Sequence, residues 1–330
     1  MSAGRLTDLA YALGWRGVRL LPEPLAAAGF RMAADLAWRR DGRGVRRLRA
    51  NLARVAPAGT DLDRLTRAAM RSYARYWMEV FRLTDLGTER IIGQMRLVDE
   101  HLLRDAHAQG AGTILALPHM GNWEQAGAWL VATGIPFTTV AERLRPESLF
   151  ERFLAFRTAL GMEVIALTGG ESPPYGLLAA RLRAGGMLCL LADRDLSRAG
   201  VPVRFFGSTA TMPGGPAALA LDTGAVLLPV TLWFDRDGWS ARIHPAVAHS
   251  DVATMTQGLA DAFAAGIAAH PADWHMLQRV WRDDVGDGTR PSAGAPLPAA
   301  QNPPAAGNSS AAVGISAPHA APPMPAPWGP

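Results

Sequence analysis

The chain has 330 residues, 49% of them hydrophobic, with 33 basic and 29 acidic side chains and a net charge of +4. That is enough apolar material for one large α/β domain or two small ones, and the lone cysteine, Cys189, excludes a disulfide framework and fits a reducing compartment. No apolar run reaches the roughly 18 residues of a membrane span, and Arg16 and Arg19 interrupt any signal-peptide core, so neither a single spanning helix nor a cleaved leader is expected.

Charge is uneven along the chain. Residues 1–55 hold 11 arginines and four acids, a net +7, so the remainder carries −3. A basic end suits a polyanion, either nucleic acid or an anionic membrane. The apolar residues decide between them. LTDLAYALGWRGVRLLPEPLAAAGFRMAADLAW sets Leu6, Leu9, Ala10, Leu13, Val18 and Leu20 on one broad stripe, with Trp15 and Trp38 among the arginines. Apolar face, tryptophan and arginine together describe a helix lying in a membrane interface. The same residues also suit an amphipathic helix packed on its own domain. The membrane is the expected partner and nucleic acid is not.

Residues 1–90 read as helices, forming a membrane-associating segment. From 112 onward short apolar runs alternate with helical stretches: TILALP then NWEQAGAWLVATG, FTTVAE then PESLFERFLAFRTALG, EVIAL then PPYGLLAARLRAG, GMLCLLA then a long loop, GGPAALALDTG then AVLLPVTLWF. This rhythm predicts an α/β fold with a central, mostly parallel sheet flanked by helices, residues 91–285, forming one domain with the N-terminal amphipathic helices. WSARIHPA adds a strand, and TMTQGLADAFAAGIAAH a last helix. Residues 286–330 are Pro, Ala, Gly and Ser with almost no charge, and they are expected to be a disordered tail.

Within ALPHMGNWEQAG, His119 follows a strand and so belongs to the carboxyl edge of the sheet, where ligands bind in open α/β folds. Asn122 suits an N-cap, which puts Glu124 in the first turn of the next helix. The turn at Met120-Gly121 lets Glu124 come back to the His119 ring. A carboxylate on one ring nitrogen would leave the other free to take a proton from a hydroxyl. A core histidine beside a capping glutamate is the plainer reading of the same residues. There is no G-x-S-x-G elbow, no phosphate loop and no H-E-x-x-H spacing, so neither an acyl-serine nor a metal is expected.

ALPHMGNWEQAG resembles the H-x4-D/E motif of the glycerolipid and lipid A acyltransferase superfamily. AERLRPESLFERFLAFRTALGMEV, LLADRDLSRAGVPVRFFG, MPGGPAALALDTGAVLLPV, HPADWHMLQRVW and the opening LTDLAYALGWRGVRLLPE resemble, in order, the actinobacterial phosphatidylinositol mannoside acyltransferases. The resemblance spans roughly residues 6–284. It implies transfer of a palmitoyl-type chain from acyl-CoA, as co-substrate, to the 6-hydroxyl of the mannose at the inositol 2-position. His119 would be the general base and Glu124 its orienting carboxylate, with no cofactor. It places the protein peripherally on the cytoplasmic face of the cell membrane. Arg157 matches an arginine lining the donor pocket. Asp193 and Asp222 each stand where the family tends to have glutamate, Asp193 on the same sheet edge as His119. Glu142, Arg143 and Arg194 fall at strand ends, where they could contact phosphate or sugar. Trp274 and His275 read as packing. A lipid A-type acyltransferase with another acceptor and a catalytically silent membrane-binding protein are the alternatives.

Overall fold

The structure, a computed structural model, describes residues 15–141, 147–167, 173–195 and 200–281. Glu142, Arg143 and the expected tail from 286 lie outside the described residues.

The helical start is built of α1 (Glu23–Arg40), α2 (Arg43–Val55) and α3 (Leu62–Arg82), with residues 15–20 also helical. Asp61 caps α3 by accepting from the Arg64 amide. Thr66, Met70, Trp77, Val80 and Phe81 recur at helical spacing and are buried, so one face of α3 packs into the molecule. Each such aliphatic or aromatic side chain contributes about 1.5–3 kcal/mol by leaving water. On the side facing α1, Arg67 and Arg71 both grip Asp35, at 2.5 and 2.6 Å.

Short α4 (Thr88–Gly93) leads into β1 (Met95–Val98) and α5 (Glu100–Ala108). The alternating units follow: β2 (Thr113–Leu117), α6 (Trp123–Ala132), β3 (Phe137–Ala141), α7 (Glu147–Ala159), β4 (Glu163–Ala166), α8 (Pro174–Arg183) and β5 (Met187–Leu191). Then come β6 (Val201–Phe205), β7 (Ser208–Met212), α9 (Gly215–Thr223), β8 (Val226–Phe234), β9 (Trp239–Ile243) and α10 (Val252–Ala269). Among the described residues the main sheet has seven strands in the order β1-β9-β8-β2-β5-β3-β4. All its pairings are parallel except β8–β9. Every residue of β2 is buried, as a central strand covered on both faces requires.

The mostly parallel sheet agrees with the alternating pattern. Two stretches hold elements that were not expected. β1 and α5 lie between the helical start and residue 112, where the alternating pattern was not followed, although Leu103 and Ala106 mark a buried face on α5. The supposed long loop after β5 contains the antiparallel β6–β7 hairpin. Its turn, Phe206-Gly207, takes positive φ at both positions (49° and 79°), as a two-residue turn matched to strand twist demands. A proline inside β6 and a phenylalanine in the turn hide that hairpin from pattern reading.

One carboxylate ties the helical start to the sheet. Glu79 on α3 accepts from Asn122 Nδ2 at 2.7 Å and Trp239 Nε1 at 2.6 Å, and its other oxygen accepts from Arg75 Nε at 2.6 Å.

Candidate active site

β2 and β5 run parallel with Leu117 opposite Leu191. Two residues beyond each strand end stand His119 and Asp193, so the register alone brings them together. His119 Nδ1 lies 2.6 Å from Asp193 Oδ1, and the His119 amide donates to Oδ2 at 3.0 Å. Trp274 Nε1 donates to the same Oδ2 at 2.9 Å. An ionised carboxylate only accepts, so Nδ1 carries a hydrogen, and in the neutral form of the ring Nε2 is the nitrogen that can accept a proton. Asp193 is fully buried. Burial pushes its carboxyl up, but the His119 charge and the bonds from His119 and Trp274 outweigh that and hold it below the ordinary aspartate range.

The loop after β2 is clamped by the segment 273–275. The Gly121 amide donates to the Asp273 carbonyl at 2.9 Å, and the His275 amide donates to the His119 carbonyl at 2.8 Å. Gly121 sits at φ 59°, and a Cβ there would stand 2.8 Å from the Leu232 carbonyl carbon, so this turn requires glycine. His275 Nε2 is 3.0 Å from Ser72 Oγ, which donates to Asp273 Oδ1 at 2.5 Å. Burial pulls the His275 pKa down to about 3, so that imidazole stays neutral.

Asn122 caps α6 as expected, accepting from the Gln125 amide at 3.0 Å. Glu124, however, makes no hydrogen bond to the His119 ring. Its partner is Arg157 on α7, whose Nη2 lies 2.5 Å from Oε1 and whose Nε lies 3.1 Å from Oε2. The reason is directional: α6 begins at Trp123 and turns residue 124 toward α7, while Asp193, on the neighbouring strand end, already fills the position beside Nδ1. Glu124 is 3% exposed, and Arg157's side chain 18%. Burial draws the Arg157 pKa down, and the Glu124 charge more than restores it.

His119, Glu124, Arg157 and Arg194 all line one cavity of about 440 Å³. The rest of its lining is mainly apolar, with Leu115, Leu117, Phe137 and Leu190 from the strands and Leu178 and Leu219 from helices α8 and α9. A few polar groups set in an apolar cleft of this size match a small-ligand site. Cys189 also lines it, and burial pushes its thiol far up, so it stays protonated.

Asp222 is not part of this constellation. It ends α9 just before β8 begins, which puts it at the opposite, amino-terminal edge of the sheet, where it pairs with Arg183 at 2.9 Å and is exposed. Trp274, expected only to pack, also holds Asp193; the sequence signal was there in an indole on a segment otherwise rich in polar residues. Among the described residues, no three His, Cys, Asp or Glu side chains converge to hold a metal ion.

What stands at the carboxyl edge is an imidazole held by a buried carboxylate, its free nitrogen beside an apolar cleft. It can take a proton from a hydroxyl while an apolar chain occupies the cleft. The comparisons with known proteins agree with such chemistry. The chain is 51% identical over 295 residues to a phosphatidylinositol mannoside acyltransferase of Mycolicibacterium smegmatis (strain ATCC 700084 / mc(2)155), covering 88% of this chain and 96% of that protein. It is 50% identical over 290 residues to the protein of the same name from Mycobacterium tuberculosis (strain ATCC 25618 / H37Rv), covering 86% and 91%. The model of the bacterial lipid A biosynthesis acyltransferases matches residues 3–283, and with a strand-end histidine, its carboxylate and an apolar cleft in place, the chain belongs to that acyltransferase family.

Proposed function

We propose that the protein moves a palmitoyl-type chain from acyl-CoA to the 6-hydroxyl of the mannose at the inositol 2-position of phosphatidylinositol mono- or dimannoside. The observation that carries this reading is His119, with Nε2 able to accept a proton, lining an apolar cavity, in a chain half identical to proteins named for that acceptor. The acyl chain lies in the cavity, where each buried methylene is worth about 0.8 kcal/mol. The sugar hydroxyl approaches Nε2, which takes its proton as the oxygen attacks the thioester carbonyl. Asp193 stabilises the imidazolium that forms and keeps the ring from turning. As the carbon–sulfur bond breaks, the thiolate leaves and takes up a proton. The thioester is already activated, so no acyl-enzyme is needed. Glu124 and Arg157 offset each other's charge within the cavity lining.

The lipid acceptor brings the enzyme to a membrane surface, and α1 suits that surface. Leu25, Met32 and Leu36 lie on one outward face of α1, and Leu20 and Leu21 precede it; all five are exposed. Arg31, Arg39 and Arg40 stand near them. An apolar stripe among arginines binds an anionic interface by burial and charge together. No helix among the described residues is long and apolar enough to cross a membrane. The expected orientation is peripheral, on the cytoplasmic face.

The test is transfer from labelled palmitoyl-CoA to purified phosphatidylinositol monomannoside, with a lipid A precursor as competing acceptor. Product on the mannoside alone supports the reading. Product on the lipid A precursor alone would reassign the acceptor.

A further inference from the structure

We propose that a second cavity on the same sheet edge receives the phosphate of the acceptor headgroup, with Arg31 and Arg236 as its anion-binding side chains; this rests on the glycolipid reading above. β8 neighbours β2 in parallel, so both strands end on the same edge, and adjacent strands lie only about 4.8 Å apart. Where β8 ends, a cavity of about 540 Å³ opens between the β8–β9 turn, α1 and α3. Its character is opposite to that of the apolar cavity, for five of its lining residues are arginines.

Three of the five already have carboxylates. Arg75 binds Glu79 at 2.6 Å, Arg90 binds Glu23 at 2.7 Å, and Arg71 shares Asp35 with Arg67. Arg31, on α1, and Arg236, in the β8–β9 turn, have no such partner among the described residues, and both are exposed. Two unpaired guanidiniums from different elements, opening on one cavity, present forked donors that match phosphate oxygens.

Position selects the lipid phosphate over other anions. α1 forms one wall of the cavity and carries the exposed Leu25, Met32 and Leu36 stripe. The cavity therefore adjoins the surface that meets the bilayer, at the level of headgroups. It also adjoins the catalytic edge. Ser72, which lines it, is hydrogen-bonded to His275 and donates to Asp273, another lining residue, and the His275 amide holds the His119 carbonyl. A headgroup with its sugar at His119 and its phosphate by Arg31 and Arg236 spans neighbouring strand ends.

The test compares Arg31→Gln/Arg236→Gln with the wild type in neutral detergent micelles containing phosphatidylinositol mannoside. Arg43→Gln/Arg64→Gln, which removes two exposed charges elsewhere, controls for net charge, and thermal melting checks folding. The acceptor KM should rise at least about tenfold, the loss expected for a charge-assisted contact, with the acyl-CoA KM unchanged. Arg31→Lys/Arg236→Lys should recover part of it. An unchanged acceptor KM, or an equal rise in the control pair, overturns the proposal. A rise in the acyl-CoA KM alone would assign the cavity to the phosphates of the donor and overturn it as well. If the wild type transfers nothing to the mannoside, the function reading fails separately. Titration with glycerophosphoinositol, inositol and inorganic phosphate then decides the cavity. Binding of the phosphodiester that is lost in the Gln pair sustains a lipid-phosphate subsite; equal affinity in both proteins removes it, and tighter binding of inorganic phosphate makes it a general anion site.

Discussion

The edge of the sheet around His119 and the outer face of α1 invert the usual distribution of side chains in opposite ways. At the sheet edge, charged groups are buried: Asp193 is fully enclosed and Glu124 is 3% exposed. On α1, apolar groups are exposed: Leu20 is 79% accessible and Met32 70%. The buried charges are each held by named partners, so their desolvation is met locally by hydrogen bonds and ion pairs. Among the described residues, nothing covers the exposed apolar groups. One departure is completed within the chain, and the other marks the face where the membrane contact is proposed. Departures of this kind gather where a protein acts rather than where it folds.

The largest expected effect breaks the first region. His119→Ala should lower acyl transfer by about 10²–10⁴-fold while circular dichroism stays near wild type. Asp193→Asn should approach the same loss in kcat with little change in acceptor KM, because an amide no longer stabilises the imidazolium. Glu124→Gln, with no bond to the imidazole, should cost less in kcat than Asp193→Asn. A larger loss for Glu124→Gln would return the orienting role to Glu124.

Arg157→Ala tests whether the second pair is structural. It leaves the Glu124 carboxylate buried without its partner, and urea unfolding should show a loss of about 3–5 kcal/mol. Glu124→Leu/Arg157→Met should recover most of that. If the single and double variants are equally unstable, packing rather than charge governs this site.

A smaller effect concerns pH. The His275 imidazole, with a pKa of about 3 in the native state against 6.5 when free, binds its proton only after unfolding over that window. Stability should therefore fall as pH drops below about 6.5, by about 1.4 kcal/mol per unit from this group. Its ionisable neighbours include His119, the rings of Tyr73 and Tyr76 and, through Ser72, Asp273. Comparing urea unfolding at pH 6.5 and 5, His275→Gln should lose about 2 kcal/mol less than the wild type. An identical slope would show that other groups set the acid limit.

The smallest expected effect, about 1 kcal/mol per side chain, breaks the second region: Leu25→Gln and Met32→Gln should each weaken flotation with anionic vesicles severalfold. Salt should weaken binding of the wild type but leave a residue that these substitutions remove. Vesicle binding unaffected by both changes would move the docking surface elsewhere.

Much of the first region was legible in the sequence. TILAL and MLCLL are short apolar runs with turn signals around them, and strands of that kind announce themselves locally. So did the position of His119 after a strand and the capping role of Asn122. What His119 bonds to was not legible, because Asp193 is 74 residues away and meets it through the β2–β5 register, which no local pattern encodes. The H-x4-E spacing suggested a nearer partner, and the direction of α6 decided against it. Nor was the position of Asp222 legible: α9 carries it to the far edge of the sheet, beside Arg183. The expected apolar stripe fared less well: Leu6, Leu9, Ala10 and Leu13 lie outside the described residues, Trp15 and Val18 pack against the core, and only Leu20 of that set is exposed, while the exposed Leu25, Met32 and Leu36 were not singled out.

Glu79 has a practical consequence for anyone shortening the chain. The helical start is not a detachable anchor, because its carboxylate holds Asn122, the residue that opens the helix after His119, and the Trp239 indole on β9. Cutting away α1 to α3 would strand both donors, each at a cost of about 1–3 kcal/mol, and uncover the face of the sheet that α3 protects. The proposed membrane contact is better removed by repainting the outer stripe of α1 with polar residues than by pruning.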